Sequence, residues 1–154
     1  MKQEGLLKSA LSVFILSAVV ILVVSYFIYH KHLIGPVLLL LSILPLIPLK
    51  ISDRSIRSVG ADIVYGTIDT GILGIAALIG AKYAGALGAV VGGAVGDAVT
   101  DGIAGLFEGK VSEVLRRYGI DEARTPLSSS MGKMSGCLMG IGITLTIAWT
   151  VIGL

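Results

Sequence analysis

Charge is scarce in this chain. Of its 154 residues only 14% are Asp, Glu, Lys or Arg, while 55% are hydrophobic. Average soluble domains carry about 25% charged residues, so soluble, disordered and fibrous classes are excluded and an integral membrane protein remains. Cysteine is nearly absent as well: Cys137 stands alone, which excludes an internal disulfide framework and any multi-cysteine metal site. A net charge of +2 on so apolar a chain gives no reason to expect nucleic acid as a partner. The partner implied by composition is the lipid bilayer.

A hydrocarbon core about 30 Å thick takes roughly 20 apolar residues per helix. Five segments meet that need: Ser9–Tyr29, Leu33–Leu49, Val59–Ala81, Tyr83–Phe107 and Met134–Leu154. The first is longer than the roughly 7–15 apolar residues of a signal-peptide core, and no small-residue cleavage site follows, so it reads as a retained helix. With five crossings, Lys2, Lys8, Lys50, Arg54, Arg57, Lys110, Arg116, Arg117 and Arg124 share one side, and only Lys31 and Lys82 lie on the other. The positive-inside rule makes the first side cytoplasmic. The expectation is therefore an all-α, multi-pass protein of the cell membrane with a cytoplasmic amino terminus. It divides into a hairpin over residues 1–52 and a glycine-rich three-helix unit over 53–154. Within the unit, 109–130 is a polar cytoplasmic segment, in which Val111, Val114, Leu115 and Tyr118 recur at helical spacing.

Acids are missing from the membrane segments of the first hairpin and present in the second half. Asp62 and Asp69 lie in the third segment, Asp97 and Asp101 in the fourth, and Glu108 follows at its end. Intramembrane carboxylates cost several kcal/mol and mark ion or proton pathways by default. At about 100° per residue, Asp62 and Asp69 are offset by about 20°, Asp97 and Asp101 by about 40°, so each helix carries one acidic stripe. A turn centred on Lys82 places Asp69 level with Asp97, and Asp62 level with Asp101, roughly 20 Å and 30 Å from the turn. With Thr67, Thr70 and Thr100 these acids form an oxygen-only ligand set, suited to a hard cation such as Ca²⁺, Na⁺ or Mg²⁺. A blander role is open to two of them: Asp62 suits a helix cap or a partner for Arg57, and Glu108 a solvated boundary residue. No resident cofactor is expected.

Small residues form ridges among these acids. Gly85, Gly93, Asp97 and Asp101 fall on one four-residue row, Gly88, Gly92 and Gly96 on the next, and Gly132, Gly136 and Gly140 answer in the last segment. Such rows let helix backbones approach closely in lipid, and their extent in the fourth segment predicts a homodimer packed on Gly92 and Gly96. A short echo relates Asp69-Thr-Gly-Ile-Leu-Gly to Thr100-Asp-Gly-Ile-Ala-Gly, running in opposite directions as inverted transporter repeats do. His30-Lys31-His32 reads as a basic interfacial loop, Lys133 as a snorkelling anchor or a counter-ion to Asp101, and Cys137 as a packed small residue.

Ile68-Asp69-Thr70, the run Gly96-Asp97-Ala-Val-Thr-Asp101-Gly-Ile-Ala-Gly105, the basic segment Gly109–Gly119 and Gly132-Lys133-Met-Ser-Gly136-Cys137 occur in an order that resembles the transmembrane protein 65 family. The resemblance runs over Tyr65–Leu145, within about the last 95 residues. It implies a three-helix ion-handling unit linked to Na⁺-dependent Ca²⁺ efflux, paired as a dimer, with Asp69, Asp97 and Asp101 as candidate ligands. The chain departs from the family in carrying Asp97 where the pattern has asparagine, and in its extra amino-terminal hairpin. A cation transporter is the expected function. An enzyme is the runner-up and a non-transporting scaffold a third alternative. Gly93-x3-Asp97-x3-Asp101 matches the second half of the CDP-alcohol phosphotransferase motif, but of the first half only Gly80 stands in place.

Overall fold

The computed structural model describes residues 2–28, 33–52, 56–118 and 125–153, and all of them lie in helices, turns or caps. Among them there is no strand, as the composition required. The His30–Lys31–His32 loop and residues 119–124 fall outside the described residues, as do the side chains of Arg57, Glu108, Val111 and Leu115. Four stretches are long and apolar enough to cross a membrane: Leu6–Ile28, Ile34–Ile51, Gly60–Leu106 and Pro126–Thr150. Large apolar side chains such as Phe14, Leu22, Leu40, Leu87, Val90 and Leu106 stand exposed along them. Soluble proteins seldom expose apolar surface on this scale, whereas lipid covers it.

Helix α1 (Lys2–Ile28) is followed by α2 (Ile34–Leu41) and α3 (Leu46–Ile51). The sequence reads α2 and α3 as one helix, and Pro45 is why they are two. Proline has no N–H to donate and disfavours helical geometry in the residue before it. Over 42–45 the bonds tighten to three-residue spacing, with Ile43 N–H on Leu40 O at 3.2 Å and Leu46 N–H on Ile43 O at 3.0 Å. The Ser42 carbonyl is thereby left without its helical donor. The Ser135 hydroxyl of the last helix donates to it at 2.7 Å in a buried contact.

A single 3₁₀ turn (Ile56–Val59) leads into α4 (Gly60–Arg117). Its 58 residues do not form one rod. The backbone leaves helical geometry at Ala84 (φ −138°, ψ 22°) and at Gly85 (φ 58°, ψ −138°), a combination that residues with a side chain rarely adopt. The chain reverses there, and the two legs, 60–83 and 86–117, pack against each other. A Cβ on Gly80 or on Gly88 would collide with the backbone of the other, and a Cβ on Gly92 with the backbone of Ala76. The third and fourth segments of the sequence reading are these legs. The stretch with helical spacing after Gly109 is helical, as an extension of the return leg: the leg continues unbroken to Arg117, since Gly109 costs only about 1 kcal/mol relative to alanine and no proline intervenes.

Helix α5 (Pro126–Ile147) starts eight residues before the expected Met134. Thr125 and Ser128 form a reciprocal capping box, Thr125 Oγ1 accepting from Ser128 N–H at 3.2 Å and Ser128 Oγ from Thr125 N–H at 2.9 Å, with Pro126 in the first turn. A π-helical turn (Ala148–Ile152) ends it. This helix is the hub. On one side α2 crosses antiparallel, with Gly35 against Thr146 and Leu39 against Gly142. On the other, the outgoing leg of α4 runs parallel, with Ile63 on Gly136, Thr67 on Gly140 and Gly74 on Thr144. Leu49, Val59 and Met131 form a fully buried cluster at one end, against which Val13 and Leu16 of α1 also pack.

Candidate functional site

The turn position decides which polar residues meet. Sequence reasoning centred it on Lys82, whereas the reversal lies at Ala84–Gly85. Moving an antiparallel turn along the chain by one residue shifts the pairing by two. Asp69 is therefore not level with Asp97 but with Thr100, whose hydroxyl donates to Asp69 Oδ1. Asp97 and Asp101 fall opposite Ile72 and Ile68, nearer the turn than the acids expected to pair with them. The two stacked carboxylate layers of the sequence reading do not form.

A polar cluster of another kind forms instead. Thr100 is buried, and its hydroxyl oxygen lies 3.0 Å from the carbonyl oxygens of both Gly96 and Asp97 as well as against the Asp69 carboxylate. A hydroxyl has one proton to share among three acceptors, so this is an oxygen-rich point with few donors. The half-buried Asp69 lines a cavity of about 250 Å³ between the legs, walled by Tyr65, Ile68, Ile72, Thr100, Ile103 and Ala104. Tyr65 is a lining residue that sequence reading missed. Its spacing, one helical turn before Asp69, was the available signal.

The other expected ligands are scattered. Asp62 is buried, 2% exposed, in the first turn of α4, where a negative charge suits the helix dipole. It packs against Gly132, whose added Cβ would stand 2.8 Å from its own. Seven residues below Asp69, it belongs to the structural core at that end. Asp97 and Thr70 are half-buried and Asp101 is exposed. Among the described residues no three acidic, histidine or cysteine side chains converge as a metal cage would require.

The glycines also redistribute. Gly85 makes the turn rather than a packing ridge, while Gly88, Gly92 and Gly96 seat the legs of the hairpin on each other instead of awaiting another copy. Gly93 sits beside Ala77 and Leu73 in the same seam, and Gly132, Gly136 and Gly140 dock α5 on the outgoing leg as expected. The half-buried Cys137 lies in that second seam, near Gly66. On the return leg Gly102 and Gly105 stand open, with nothing among the described residues within 4 Å of an added Cβ. The sequence echo acquires a geometry too: its two leading residues, Asp69 and Thr100, are the two that touch, so the copies are related about that contact. The chain matches no protein-family model, no curated protein and no solved structure.

Proposed function

We propose that this protein is a multi-pass transporter of a hard cation in the cell membrane, not an enzyme, with Asp69 and Thr100 at the centre of its ion site. On this reading the two legs of α4 cross separately, making five crossings with the amino terminus in the cytoplasm. The observation that carries it is an acid held inside an apolar helical hairpin by a buried hydroxyl and opening on a small cavity. A carboxylate in that position costs several kcal/mol in lipid and is retained where it serves a ligand or proton. The nearby oxygens are carboxylate, hydroxyl and carbonyl, the ligand types of Na⁺ and Ca²⁺.

One carboxylate balances one positive charge. Na⁺ therefore suits Asp69 and Thr100 alone, while Ca²⁺ needs a second acid. Asp97, one turn nearer the reversal than Thr100 and half-buried, is the candidate. Competition of the two ions for Asp69 is the chemical basis for Na⁺/Ca²⁺ antiport, the activity that the likeness to the transmembrane protein 65 family implies. A second copy on the open Gly102–Gly105 face would shield the exposed Asp101 from lipid. The test is Ca²⁺ uptake into proteoliposomes driven by an outward Na⁺ gradient. We expect uptake by the parent and its loss in Asp69→Asn. Uptake that persists in this variant moves the site elsewhere, and no cation flux in the parent refutes transport.

A further inference from the structure

The structure holds a larger cavity that the ion site does not use. Beside the seam of α5 and the outgoing leg of α4 runs a groove of about 690 Å³, floored by Thr67, Gly71 and Gly140, walled by Ile75, Ile79, Ile143 and Ile147, and meeting the ion cavity at Ile68 and Ile72. Lys82 stands at its far end, exposed and without an ion pair among the described residues. The floor hydroxyls are already engaged, Thr67 on Ile63 O at 2.7 Å and Thr144 on Gly71 O at 3.2 Å. The groove thus offers an apolar channel ending in one cation.

Its length, apolar lining and terminal charge suit a lipid. From residue 67 to residue 82 the helix rises about 22 Å at 1.5 Å per residue, against about 15 Å for half of the hydrocarbon core. Lys82 at the far end supplies a positive charge where a headgroup phosphate would lie. A polymethylene chain, whose carbons pack about 4 Å from their neighbours, fits.

We propose that this groove is a binding site for an anionic phospholipid of the bilayer, one acyl chain lying along Ile75, Ile79, Ile143 and Ile147 and the headgroup phosphate on Lys82. The proposal does not rest on ion binding; it depends only on the groove lying in a bilayer. The test is native mass spectrometry of the full-length protein, equilibrated in detergent with equal amounts of phosphatidylglycerol and phosphatidylcholine. One phosphatidylglycerol should be retained in about fivefold preference, the ratio expected for one basic residue at an interface. Lys82→Gln should abolish the preference, and Lys110→Gln, outside the groove, should leave it unchanged. Gly71→Leu, which has no neighbour closer than 3.9 Å to its new Cβ, should fill the floor and reduce retention of both lipids. Ile143→Trp, at an exposed wall position, serves the same purpose if the Gly71 variant misfolds. Equal retention of the two lipids by the parent, an unaltered preference in Lys82→Gln, or full retention in both groove-filling variants overturns the proposal. So does loss of an oligomer, rather than of lipid, on filling the groove.

Discussion

At the scale of residues, the contact between Asp69 and Thr100 organises the polar interior of the hairpin. Both were legible in the sequence as intramembrane oxygens, but their partnership was not. Helical spacing reports which face a residue occupies and says nothing about the register of a facing helix, which the turn controls. Thr100→Val keeps the shape and removes the hydroxyl. It should weaken cation binding about tenfold, since hydrogen bonds to charged groups are worth about 1.5–3 kcal/mol, and Asp69→Asn should weaken it further. Asp62→Asn, in the buried cluster away from the cavity, should leave affinity unchanged. Calorimetric titration of Na⁺ and Ca²⁺ into the three variants checks this ordering; equal affinities in Thr100→Val and the parent would count against it.

At the scale of elements, two glycine seams do different work. The first folds α4 on itself, and Gly85 turns it with a backbone geometry that costs about 1–3 kcal/mol for other residues. Gly88→Leu should lower stability more than Gly85→Ala, because it drives a side chain into the Gly80 backbone rather than straining one residue. Both are measured as shifts in the midpoint of denaturant titration in detergent. Glycine ridges were visible in the sequence. Their destination was not, because a ridge fits a neighbouring leg and a second copy equally well. The proline break between α2 and α3 depends on one hydroxyl from α5. Ser135→Ala deprives the buried Ser42 carbonyl of its donor and should cost about 1–3 kcal/mol, read in the same titration. A change below 0.5 kcal/mol would mean that another group replaces the hydroxyl.

At the scale of the whole molecule, α5 is enclosed by α2 and the outgoing leg of α4, while α1 touches the core through Val13 and Leu16. Removing residues 1–28 should leave a folded protein that still binds its cation. Removing residues 1–50 also strips Leu39 from Gly142, Leu49 from the core and Ser42 from Ser135, and should destabilise it strongly. Circular dichroism melts of the two truncations distinguish these outcomes. Oligomerisation belongs to this scale as well. Gly102→Leu should weaken a dimer without harming the protomer, as nothing among the described residues lies within 4 Å of an added Cβ there. Light scattering in detergent and cross-linking in lipid would read the change. A stable dimer in this variant would place the interface on another face.

The sequence by itself determined the helical class, the membrane setting and the acids and glycines of the second half. These follow from composition and from a 3.6-residue period, which are local properties. Tertiary structure decided the pairing of Asp69 with Thr100, the use of the Gly88–Gly96 row within the hairpin, and the groove that ends at Lys82. Each depends on where one turn falls and on how closely two helices approach, and a small displacement along the chain exchanges one partner for another.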